Sequence, residues 1–394
     1  MSASQPTCFL DISRLIARAG EGPLTGIDRV ERAYLAHLCQ ADCNLFALRR
    51  TRFGWQIFDR AAARQILSLI DRPSVVSPRG LIGRVLARSR RLATPGGERI
   101  RHTDLSDWLA GNRAPRKIWI SVGHWNLGAD VLGAVASGGA SIRVMIHDLF
   151  PLECPDWSGK GAPDRFAPLL AGAARHADQI LFPSAGSARS FNHHTQSLAE
   201  QRIIPLGIEI AAPSARVPSH IPLDRPLFVA IGTIEPRKNI GLLLDVWDGL
   251  ALRLPPTAMP RLLIAGRRGW ADTQLLARLD RYRAVNGLVM ERNNLGDADL
   301  VAVLQAAHAL LAPSRAEGFG LPPAEAASLG LPVLATDLAV TREVLGDYPT
   351  YLPADRPALW IEKIAHLAAE RQRLKPLVLP HWTDHFNLVF NDCG

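Results

Sequence analysis

The stretch from Ala309 to Ala335, ALLAPSRAEGFGLPPAEAASLGLPVLA, leaves few choices of fold. An apolar run, Ala309–Ala312, ends before the glycine turn Gly318-Phe319-Gly320. Pro322 and Pro323 then open a helical stretch from Ala324 to Leu329, and the apolar Pro332–Ala335 follows. Proline is tolerated in the first turn of a helix because the N–H groups there have no intrahelical partner. The spacing therefore predicts a buried strand, a tight turn, a helix and a second strand. Such a turn brings the backbone close to a ligand and aims the first N–H groups of the helix at an anion. Two carboxylates flank it, Glu317 and Glu325, eight positions apart. Paired acids suggest general acid–base work. A plain strand–turn–helix connection carrying two solvated acids is the competing reading.

The same alternation runs through the second half. Pro226–Ile231 reads as a strand ended by Gly232-Thr233. Glu235-Pro236-Arg237-Lys238-Asn239 then leads into a helix, Ile240–Leu250, with Leu243, Val246, Trp247 and Leu250 facing inward. Further strands are predicted at Arg261–Ala265, Leu288–Glu291 and Pro349–Leu352, and helices from Asp297, from Thr341 and over Pro357–Ala369. Adjacent cations at a helix entry, Arg237 and Lys238, suit a diphosphate. Asp297-Ala298-Asp299 has the form of a metal-binding pair. It opens a helix, however, where aspartate is expected as a cap, and no His/Cys ligand spacing occurs elsewhere. No metal site is expected.

The first half gives a thinner version of the pattern. Cys8–Ile12 reads as a strand, Gly20–Gly26 as a glycine-containing loop, and Ile27–Leu38 as a helix with Val30, Tyr34 and Leu38 on one face. The loop lacks GxGxxG and carries no specific dinucleotide signal. Lys117–Val122 reads as a strand ended by Gly123-His124-Trp125-Asn126. Ser141–Ile146 is another, followed directly by His147-Asp148. Ligands of open α/β sheets sit beyond the carboxyl ends of the strands, which places His147 and Asp148 where chemistry happens. A capping aspartate and a hydrogen-bonded histidine would look the same. Gln179–Pro183 is a further strand, with Ser184 as the cap of the next helix.

A chain of 394 residues is too long for one ordinary core, and its 47% apolar content excludes disorder. The Pro-, Ala- and Ser-rich stretch 211–225 is the expected linker between a first domain, 1–210, and a second, 226–376, with 377–394 as a closing segment. Neither a signal peptide nor a membrane-spanning run is evident. Five scattered cysteines without a CxxC pair fit reduced thiols, hence a cytoplasmic setting. The net charge of +8 favours anionic partners. Arg79–Leu92 reads as a basic amphipathic helix, either lying on the anionic inner face of a membrane or simply solvated. The arginines are not interleaved with aromatics, so nucleic acid is not an expected partner. No GxSxG elbow and no Walker A sequence occurs.

Together, APSRAEGFGLPPAEAASLGLPVLATD and IGTIEPRKNIGLLLDVW resemble the signatures of the family 4 retaining glycosyltransferases, the "glycosyl transferases group 1" domain. HDLFP is similar to the His-Asp turn of that family's first domain. The resemblance is dense from Leu227 to Leu352 and thinner before residue 210. It implies a GT-B fold: two Rossmann-like domains facing across a cleft, with the C-terminal segment crossing back to the first. It implies a nucleotide-diphosphate sugar as donor substrate, no cofactor and no metal. Catalysis would fall to Glu317, beside the transferred sugar, and His147. Gly232, Thr233, Arg237, Lys238, Gly318, Phe319, Gly320 and Leu321 would bind the donor, and Glu325 its ribose. Thr25 and Gly26 would border the diphosphate or the acceptor, although Gly20–Gly26 lacks the family's usual consecutive glycines. The implied activity is retaining transfer of a hexose, with mannose the first choice by analogy, to a glycan or lipid-linked acceptor in polysaccharide or lipopolysaccharide synthesis. The alternative is a non-catalytic GT-B protein that binds glycan or nucleotide, or acts as a scaffold.

Overall fold

The computed structural model describes residues 5–19, 22–71, 96–285 and 287–390. Two compact units emerge. The first is built from 5–153, 161–205 and 386–390, the second from 154–160 and 206–385. The basic stretch Arg79–Leu92 and residues 20 and 21 of the glycine loop lie outside the described residues.

The first unit is organised on a sheet of eight strands: β1 (Thr7–Asp11), β2 (Asn44–Thr51), β3 (Gly54–Asp59), β4 (Glu98–Ile100), β5 (Lys117–Ser121), β6 (Ser141–Met145), β7 (Gln179–Phe182) and β8 (Glu200–Ile203). Their order is β4-β3-β2-β1-β5-β6-β7-β8. From β2 to β8 the neighbours are parallel, and β3 and β4 add an antiparallel edge. Strand β1 is buried along its whole length, as its apolar sequence requires of a strand covered on both faces. Phe9, Trp119 and Phe182 lie fully buried in the main core of this unit. The helix Gly26–Leu38 packs Val30, Tyr34 and Leu38 inward, the face its periodicity predicts. Phe386, on the C-terminal helix Trp382–Phe390, stacks on His37 with ring centroids 3.9 Å apart. Buried Arg143 donates a hydrogen bond to the Val389 carbonyl at 2.6 Å.

The second unit carries β9 (Leu227–Ile231), β10 (Arg261–Ala265), β11 (Val289–Arg292), β12 (Ala309–Ala312), β13 (Val333–Thr336) and β14 (Thr350–Leu352). All are parallel, in the order β11-β10-β9-β12-β13-β14. The helix Ile240–Ala251 buries Leu243, Val246, Trp247 and Leu250 completely, and the Trp247 indole N–H donates to the Pro260 carbonyl at 3.0 Å. In both sheets the strand order reverses direction, at β1/β5 in the first and β9/β12 in the second. A reversal leaves a crevice at the carboxyl ends of the two central strands, where side chains from separate loops converge.

Candidate active site

In the second unit the site begins where β9 ends. Gly232 has φ 140°, a conformation that favours glycine, and a Cβ there would come within 2.9 Å of Lys238 Cε. The lysine stem therefore lies over bare backbone. Sequence reading places Arg237 and Lys238 at a helix entry. The structure instead gives them a separate 3₁₀ turn, Pro236–Lys238, closed by Asn239 in the left-handed region at φ 52°. The Asn239 amide donates to the carbonyls of Pro313, 3.2 Å, and Ala354, 3.0 Å. This fixes the basic turn against the chain leaving β12 and β14.

Both cations then meet Glu317. Lys238 Nζ lies 2.5 Å from Glu317 Oε1, and Arg237 Nη1 lies 3.0 Å from Oε2. Arg237 also donates to the Ala316 carbonyl at 2.7 Å and, through Nη2, to Glu235 Oε1 at 2.7 Å. Ser314 gives Glu317 another hydrogen bond. Burial opposes ionisation of Glu317, but Lys238 and Arg237 outweigh it and hold the carboxyl at about 2. Two acids face two cations, all with side chains less than a fifth exposed. Such a cluster is close to electroneutral.

The glycine turn follows. Gly320 is left-handed at φ 91° and leads into the helix Leu321–Ser328. One expectation needs correction here. Pro322 and Pro323 occupy the first helical turn, so two of its N–H donors do not exist. An anion at this terminus meets the N–H groups of Gly320 and Leu321, not a full first turn. Phe319 and Leu321 bury their side chains, so backbone is what they offer a ligand. Glu325 is buried further along the same helix, its Cα–Cβ bond tilted toward the helix start. Thr233 packs so closely on Gly269 that a Cβ there would lie 2.6 Å from its methyl.

The first unit gathers a second polar group at the ends of β1, β5 and β6. His147 is buried, and its Nε2 lies 2.7 Å from the Val122 carbonyl. A carbonyl only accepts, so Nε2 carries the proton. The His147 backbone N–H donates to His124 Nε2 at 2.7 Å, which puts the His124 proton on Nδ1. Burial depresses both imidazoles to about 3, so each is neutral near pH 7. Asp148 caps the short helix Phe150–Glu153 through the Phe150 N–H, 3.4 Å. Thr25 caps the helix that starts at Gly26. The Asp28 carboxylate accepts its N–H (2.8 Å) and hydroxyl (2.6 Å) and pairs with Arg14 Nε at 2.8 Å.

Sequence reading passed over several residues here. Asp11 ends β1 with its carboxyl fully buried against Ser13 and Asn126. Glu31 is buried, and burial followed by the nearby Asp11 holds its carboxyl well above the usual range. A polar residue closing an apolar strand was the available signal for Asp11. Asp299, half of the aspartate pair, accepts the Ser214 hydroxyl at 2.6 Å within the first turn of the helix Asp297–Ala306. Among the described residues no three His, Cys, Asp or Glu side chains are grouped to hold a metal ion. No helix among them is long and apolar enough to cross a membrane.

Two α/β units, each with a sheet reversing at its centre and polar residues at that reversal, define the GT-B fold. Solved structures share it. Sucrose-phosphate synthase from Thermosynechococcus elongatus covers 99% of both chains with a TM-score of 0.64 at 14% identity. Anabaena HepE, in complex with UDP and glucose, covers 99% of both with a TM-score of 0.63 at 15% identity. Residues 212–376, most of the second unit, match the family described as glycosyl transferases group 1. Among curated proteins, the serotype-specific mannosyltransferase WbdA of Escherichia coli is 29% identical over 244 residues, 58% of this chain. The matched region spans only 30% of that relative.

Proposed function

We propose that the protein is a retaining glycosyltransferase. It moves a hexose, with mannose the first choice, from a nucleotide-diphosphate sugar to a glycan or lipid-linked acceptor in polysaccharide or lipopolysaccharide assembly. The observation that carries this reading is the contact of Glu317 with both Arg237 and Lys238. Breaking the anomeric C–O bond leaves negative charge on the diphosphate. Arg237 and Lys238, turning from Glu317, meet that charge together with the N–H groups of Gly320 and Leu321. In this structure Glu317 is their counter-ion. When the donor enters, the cations turn to the diphosphate, and Glu317 accepts hydrogen bonds from hydroxyls of the transferred sugar. Glu325 does the same for the ribose.

With two fixed cations at the leaving group, transfer proceeds without a divalent metal. His147 has given its Nε2–H to Val122, so it offers Nδ1 as an acceptor to a sugar hydroxyl and does not serve as a proton donor near pH 7. The first unit, with Thr25 and Gly26 at its β1 loop, takes the acceptor. The enzyme works in the cytoplasm. Activity on a mannose donor accords with the relative named above, and binding of a nucleotide sugar with the UDP complex of the structural neighbour. A thermal-shift screen against UDP-, GDP-, ADP- and dTDP-sugars tests the reading. One nucleotide class should raise the melting temperature in a concentration-dependent way. No stabilisation by any of them would contradict it.

A further inference from the structure

The loop leaving β5 is unusual. His124 and Asn126 both sit in the left-handed region, at φ 59° and 56°, with one residue, Trp125, between them. Non-glycine residues adopt that region at a cost, and two so close together persist only where the surroundings hold them. The holding groups come from every side. Asn126 donates to Asp11 Oδ2 at 2.9 Å and to the Ser13 hydroxyl at 3.0 Å. His124 accepts the His147 N–H, and the Ser121 hydroxyl donates to the Trp125 carbonyl at 3.3 Å. At Gly123 a Cβ would lie 2.6 Å from Glu31 Oε1, and a side chain at Gly172 would run into the Leu127 carbonyl. The loop is thus clamped by the ends of β1 and β6 and by the helices Gly26–Leu38 and Ala162–His176.

This bracing presents one side chain. From Val122 to Gly128 every residue is buried or half-buried except Trp125, which is 41% exposed. It stands at the carboxyl end of β5, beside β1, where the first sheet reverses. A rigid indole needs little ordering when a ligand arrives. Its π face carries partial negative charge, and a pyranose offers a complementary face of C–H groups.

We propose that Trp125 is the stacking platform for a pyranose ring of the acceptor saccharide, and so a residue that selects the acceptor. This rests on the glycosyltransferase reading. It extends that reading, because nothing in the donor site requires an exposed aromatic on the first unit.

The test uses the full-length protein labelled with 5-fluorotryptophan. Fluorine NMR identifies the Trp125 signal by its loss in Trp125→Phe. The probes are α-linked mannotriose, maltotriose, galactobiose and the free nucleoside diphosphates. The Trp125 signal should move with at least one saccharide and stay in place with every nucleotide alone. In transfer assays Trp125→Ala should raise the acceptor KM about tenfold, the scale of one lost aromatic contact, with nucleotide affinity unchanged and Trp125→Phe in between. A Trp125 signal unmoved by all the saccharides, or moved by nucleotide alone, overturns the proposal. So does an unaltered acceptor KM in Trp125→Ala. Failure of the broader reading looks different: no nucleotide diphosphate or nucleotide sugar would bind the wild type, whatever the saccharide probes do.

Discussion

Lys238 Nζ and Glu317 Oε1 are 2.5 Å apart, although 79 positions separate them in the chain. The contact exists because β9 and β12 are neighbours in the sheet, so the turns after them share one crevice. It gives the two cations a counter-ion built into the chain. Facing these two cations, the Glu317 carboxyl is held at about 2 and is ionised near pH 7.

This pairing predicts opposite effects on binding and turnover. In Glu317→Gln the cations lose their counter-ion but keep a side chain of the same size. Affinity for the free nucleoside diphosphate should stay the same or rise severalfold, while transfer falls by about a hundredfold or more, the scale on which lost electrostatic stabilisation acts. Calorimetry and initial rates check the two halves separately. Turnover near wild type would remove Glu317 from the reaction.

A second prediction concerns acid. An unfolded chain protonates His124 and His147 near pH 6.5, whereas the folded protein does not until about 3. The unfolded state therefore binds more protons throughout that window. Stability is full above pH 6.5 and declines on acidification toward 3, by ~1.4 kcal/mol per pH unit for each histidine. His124→Asn keeps a residue tolerant of the left-handed conformation and removes the titrating ring. Melting curves at pH 7 and pH 5 should show a smaller acid loss in the variant than in wild type. An identical loss would mean that His124 is charged in the folded protein.

Metal dependence is a third test. With Arg237 and Lys238 on the leaving group, chelation by EDTA should leave most of the transfer activity. Complete loss restored by Mg²⁺ or Mn²⁺ would return attention to Asp297 and Asp299.

The second unit was legible because its polar residues are written in local runs. Gly232-Thr233 and Arg237-Lys238 follow β9, Glu317 and the Gly318–Gly320 turn follow β12, and parallel strands collect their carboxyl ends on one edge. Which strands are neighbours was not legible from spacing, so the Glu317–Lys238 contact needed either the fold or the family resemblance. At Pro322 and Pro323 the residues good for starting a helix are the ones that lack an N–H. The first unit hid more. Glycine is the usual mark of a left-handed position, and His124 and Asn126 adopt it without glycine, held by contacts to Asp11, Ser13 and His147 that are remote in sequence. Buried Glu31 was invisible for a related reason: on a helix whose apolar stripe is Val30, Tyr34 and Leu38, an acid one position from the stripe reads as solvated.

The proposed function requires that Arg237 and Lys238 grip a diphosphate. Calorimetric titration of UDP, GDP, ADP and dTDP into the wild type and Lys238→Ala measures it directly. The prediction is that one diphosphate binds the wild type and binds the variant at least about tenfold more weakly, as expected for the loss of a charge-assisted contact in a partly buried site. Binding of none of the four to the wild type, or equal affinity in Lys238→Ala, would contradict it.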